Sequence, residues 1–195
     1  MVTSRGLAAV VAQALGLPGP TVVEHLRNVQ KDGRISFKGY GRGAARMGPR
    51  DAATLLLAAA GDGPVKDSLA TLDSFGSLRP LRVGVPASGV TFLDHLAGLL
   101  TEIAAHGYFR LPGPPPVAFT LISAAAGTEK WQLPHFAFSR GGHRLTGTLY
   151  FGPQGWDKPM RSEVEFAVLL RGSGSGLART SIVTMEALEK VANCL

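Results

Sequence analysis

Two apolar helical stripes occupy the first 30 residues, and only the five residues GLPGP, 16–20, separate them. Leu7, Val10, Val11, Ala14 and Leu15 recur at i, i+3, i+4, i+7 and i+8, which is one face of a helix. Gly16, Pro18, Gly19 and Pro20 break it, and Pro20 or Thr21 is placed to open a second helix in which Val22, Leu26 and Val29 share a face, with Gly33 as its stop. A linker this short obliges the two apolar faces to meet. The spacing therefore predicts a tight helical pair, with Ala12 small because the helices cross there.

Beyond the pair the period changes. RISFK, 34–38, alternates Ile35 and Phe37 with polar neighbours, as a half-buried strand does; GYGRG supplies a hairpin tip and AARM returns. Positive charge is concentrated in the same region. Residues 1–60 hold eight Lys/Arg against Glu24, Asp32 and Asp51, so they carry +5 of the formal +6 of the chain. Asymmetry of this kind points to a polyanionic partner for the first third.

The spacing Ala12, Gly16, Val22, Leu26, Val29, Gly33 within VVAQALGLPGPTVVEHLRNVQKDGRI resembles the winged helix-turn-helix family of bacterial DNA-binding domains. The resemblance covers about the first 47 residues. It implies a recognition helix in the major groove and a basic two-stranded wing beside it. Helical geometry supports the same assignment: at about 100° per residue, anchoring Val22 inward turns Glu24, Arg27, Asn28 and Lys31 outward, with Thr21 at the exposed N-terminal end. Arginine suits guanine edges, asparagine suits adenine, and a helix N-terminus favours a phosphate. Lys38, Arg42 and Arg46, on the ribbon and its glycine-rich tip, would reach the flanking backbone or the minor groove. Glu24 is the discordant member. A carboxylate repels phosphate unless it accepts from a cytosine amine, so it either specifies a base or lies off the groove.

Further helices are expected in PRDAATLLLAAAG, with Pro49 in its first turn and Gly61 as its stop, and in VKDSLATLDSF, with Val65, Leu69 and Leu72 on one face. VTFLDHLAGLLTEIAAHG repeats Leu93, Leu96, Ala97, Leu100, Ile103 and Ala104 and ends at Gly107; packing under its own sheet or a dimer seam are its two uses. Beyond the stiff PGPPP connector, VAFTLIS, PHFAFS, HRLTGTLYF, EVEFAVLL and ARTSIVT read as strands, and MEALEKVANCL as a closing helix capped by Thr184. The expected class is α+β: a winged helix-turn-helix over 1–60, a helical connector over 61–110, and an antiparallel sheet with flanking helices over 111–195, serving dimerisation or the binding of a partner or ligand.

Other functions find less support. His95 and His106, and His135 and His143, match no metal-ligand spacing, and Cys194 is the single cysteine, so neither a metal nor a disulfide is expected. The glycine-rich stretches lack the lysine and serine of a phosphate-binding loop, Asp94 beside His95 has no activated nucleophile near it, and neither cofactor nor catalytic residue is assigned. No run approaches the roughly 18 apolar residues of a membrane span. The N-terminus has the charged start of a signal peptide, but Gln13 interrupts its apolar run, so a cytoplasmic protein with no membrane contact is expected. The expected function is sequence-specific binding of double-stranded DNA by a bacterial or phage-borne transcription regulator. The expected form is a homodimer, with RNA polymerase or another DNA-bound protein as a further partner. The alternatives are a phage-like DNA-packaging component of the small terminase kind and a winged-helix protein-interaction adaptor.

Overall fold

The computed structural model describes residues 2–36, 45–61, 64–80, 90–107, 117–123, 135–137, 148–152 and 179–195. A two-residue strand, β1 (Val2–Thr3), leads into α1 (Ser4–Leu15), and α2 (Gly19–Lys31) follows directly. Thr3 caps α1 by accepting from the Gly6 amide, and Gly16 ends it in the left-handed region at φ 67°, its N–H returning to the Ala12 carbonyl. That conformation favours glycine. An added Cβ at Gly16 would meet nothing within 4 Å, so Gly16→Ala is expected to cost about 1 kcal/mol through backbone strain alone, measurable as a shift in the urea midpoint.

The first β pairing differs from expectation. Of the expected strand 34–38, Arg34 and Ile35 form a bend, because Gly33 and Arg34 donate their amides back to Gln30 and Val29 and the Arg34 guanidinium is drawn to Asp32 and Asp73, each at 2.8 Å; residues 37–38 lie outside the described residues. Ile35 is still buried. The returning segment becomes β2 (Arg46–Met47) and pairs antiparallel with β1, Val2 opposite Met47 and Thr3 opposite Arg46. The expected hairpin tip, 39–43, and the expected strand EVEFAVLL lie outside the described residues.

Next comes α3 (Pro49–Ala60), where the Asp51 carboxylate accepts from the Gly48 amide at 2.9 Å. Every residue from Ala52 to Ala60 is buried. A helix apolar on all sides has to sit inside the molecule, and α3 packs against α1, α2, α4 (Ser68–Gly76) and α5 (Phe92–His106). A single 3₁₀ turn, Val65–Asp67, precedes α4, and the two-residue strand β3 (Arg79–Pro80) follows it. In α5, Phe92, Leu96, Leu99, Leu100 and Ile103 are buried, while Ala104, expected on that stripe, is exposed. Thr91 and Asp94 make its capping box, with each side chain serving the other's amide.

The remaining strands are β4 (Val117–Ser123), β5 (His135–Ala137), β6 (Thr148–Gly152) and β7 (Arg179–Thr184), and α6 (Met185–Ala192) closes the chain. They form one sheet in the order β3-β6-β5-β4-β7, every neighbouring pair antiparallel. Phe119, Leu121 and Val183 are buried. Thr184 caps α6 as its sequence implies, accepting from the Ala187 amide at 3.3 Å. The chain is thus α+β. α6 packs on both α1 and α5, and buried residues from Leu7 to Ala192 belong to one cluster. Among the described residues no helix is long and apolar enough to cross a membrane.

Candidate nucleic-acid interface

The residues of α2 divide cleanly by face. Val22, His25, Leu26 and Val29 are buried, and the i, i+4, i+7, i+11 positions on the other side, Pro20, Glu24, Arg27 and Lys31, are exposed. The helix begins at Pro18 with no side-chain cap and with no acid in its first turn. By contrast α1, α5 and α6 each start on a capping threonine. The Thr21 and Val22 amides fold back onto the Pro18 carbonyl at 3.0 and 3.3 Å. Thr21 itself is half-buried. Lys31 stands in the last turn, where a cation suits the helix dipole.

Arg27 and Glu24 form an ion pair through guanidinium Nη1 and carboxylate Oε1, with side chains 65% and 51% exposed. Arg46 is exposed on β2. Lys38 and Arg42, the expected wing cations, lie outside the described residues. Part of the basic surplus is used inside the molecule: Arg34 bridges to Asp73 of α4, and Arg50 of α3 pairs with Asp94 of α5. The Thr91 hydroxyl first, and then Arg50, hold the Asp94 carboxyl below its ordinary range.

Asn28 was expected outward and is not there. It is half-buried, and its amide donates to the Val65 carbonyl at 2.8 Å and to Ser68 Oγ at 3.4 Å. The 3₁₀ turn covers that flank of α2, so a position which periodicity assigns to solvent faces a neighbouring segment. Asn28 therefore spends its side-chain amide on the 3₁₀ turn and α4 rather than presenting it to solvent.

Beside it lies a buried group that sequence reasoning passed over. His25 is 4% exposed and Ser68 1%, and His25 Nδ1 lies 2.8 Å from Ser68 Oγ. The Ser68 hydroxyl donates to the Val65 carbonyl, which leaves its oxygen to accept, so the imidazole proton belongs on Nδ1. Burial holds His25 below the ordinary histidine pKa of 6.5, in the neutral form. One signal was legible: residue 25 falls on the Val22, Leu26, Val29 face. Nothing local marked its partner, 43 residues away. On the same helix the Gln30 side-chain nitrogen is buried without a hydrogen-bond partner.

Comparison with family models, with curated proteins and with solved structures finds no match.

Proposed function

We propose that this chain binds double-stranded DNA sequence-specifically, as a bacterial or phage-borne transcription regulator, by laying the exposed face of α2 in the major groove. In this reading α1 and α2 are the helix-turn-helix of a winged helix. The observation that carries it is the division of α2: one stripe holds the helix to the core, and the opposite stripe presents Arg27 and Lys31, with Glu24, to solvent over about two turns. A helix of that length and diameter fits the roughly 12 Å wide major groove. Its uncapped N-terminus, free of carboxylates, suits a phosphate.

Fluorescence anisotropy of the full chain on labelled duplex, across graded salt, tests the reading. Affinity should fall as salt rises, with a log–log slope of about −0.9 per phosphate contacted. An Arg27→Ala, Lys31→Ala double variant should bind more weakly and with a shallower slope. Absence of binding at low ionic strength, or binding indifferent to salt, removes the proposal.

A further inference from the structure

With Asn28 turned inward, the exposed stripe of α2 retains three groups able to meet a base edge: Glu24, Arg27 and Lys31. Glu24 is the only carboxylate of the helix, and it stands in the middle of the stripe with Arg27 bonded to it. An exposed ion pair at this spacing adds little to stability, and a carboxylate facing phosphates opposes non-specific binding. Folding and general DNA affinity therefore leave its placement unexplained.

We infer that Glu24 and Arg27 act as a joint reading unit, Arg27 taking a guanine and Glu24 the amine of a cytosine on the neighbouring base pair. The inference rests on the proposed entry of α2 into the major groove. Its chemistry is specific. An ionised carboxylate only accepts hydrogen bonds, and in the major groove cytosine offers the N4 donor, whereas guanine offers only acceptors and adenine sets its N7 acceptor beside its N6 donor. Arg27 spends Nη1 on Glu24, which leaves Nε and Nη2 to reach guanine O6 and N7. Residues 24 and 27 are about 4.5 Å apart along the helix axis, close to the base-pair rise of about 3.4 Å. Adjacent base pairs are thus within reach of the two side chains. Held against Glu24 in the free protein, the guanidinium is already turned along the reading face, and the pair together presents no net charge to a non-cognate phosphate. Glu24 in this account lowers affinity for arbitrary DNA and raises discrimination.

Selection from a random duplex library by the full chain, wild type and Glu24→Gln, tests this, with Arg27→Ala as a second variant. Both side chains are exposed, and circular dichroism checks that the variants fold. Wild type should enrich a guanine with a cytosine on the adjoining base pair. Glu24→Gln should bind random duplex several-fold more tightly and lose on the order of tenfold discrimination at the cytosine position, drifting towards adenine, because glutamine pairs with adenine N6 and N7. Arg27→Ala should degrade the guanine position while keeping the fold. Identical consensus sequences from wild type and Glu24→Gln, with all affinities raised equally, overturn the inference and leave DNA binding standing. So does wild-type binding without any consensus. Retention of no duplex by any of the three proteins overturns the DNA-binding reading itself.

Discussion

A Phe92→Ala variant is expected to lose about 3–5 kcal/mol of folding stability, a large share of what holds a domain of this size together. Phe92 is fully buried at the first position of α5, and its ring meets that of Phe119 on β4 edge-on, with centroids 5.6 Å apart and planes at 77°. This contact joins the helical layer to the sheet. Truncation removes the transfer free energy of the ring, leaves a cavity that the surrounding core fills only in part, and deletes an aromatic pair worth about 0.5–1.5 kcal/mol beyond its buried area. Local structure is not at issue, since the Thr91 cap and the Phe92 amide bond to the Leu78 carbonyl at 2.8 Å survive the change. A domain whose whole stability is on the order of 5–15 kcal/mol should show the difference plainly in urea denaturation. Because buried residues from α1 to α6 share one cluster, the loss should appear in a single transition. A change below about 1 kcal/mol would contradict the packing described.

The second large effect concerns the polar group beneath α2. Ser68→Ala strips His25 Nδ1 of its acceptor and should cost about 1–3 kcal/mol, the penalty of a buried donor left unpaired. It should also weaken any DNA affinity that depends on the pose of α2. The same site sets a pH dependence. Desolvation lowers the His25 pKa in the folded chain, so between the folded value and about 6.5 the unfolded chain binds more protons, and stability rises with pH across that window. The contribution is complete above about pH 6.5 and is lost as the pH falls through the depressed folded value. His95 adds to it with the same sign, lowered by burial and partly offset by Glu102. Thermal melts between about pH 7 and about pH 5 should show wild type losing stability and a His25→Gln, His95→Gln double variant losing less. An undiminished decline in the double variant would assign the effect to other groups.

Much of the secondary structure was legible because its signals are local. Gly16, Pro18 and Pro20 punctuate α1 and α2, Pro49 and Gly61 bracket α3, and Thr184 starts α6, each through the conformation or hydrogen bond of that residue itself. VAFTLIS became β4 with the expected bounds. The β1–β2 pairing was not legible, since two-residue strands 43 residues apart show no period. Nor was the interior place of α3, although its run of three leucines and three alanines, unbroken by a polar residue, is the composition of an enclosed helix.

At the candidate interface the division is finer. Periodicity alone turned Val22, Leu26 and Val29 inward and Glu24, Arg27 and Lys31 outward, because a helix buries whichever face is apolar and that face is written in consecutive residues. The fates of His25 and Asn28 were settled by Val65 and Ser68, which reach α2 from a distant part of the chain. A hydrogen bond between side chains some forty positions apart depends on how helices pack, and packing is decided by the summed fit of the core rather than by the neighbours of any one residue.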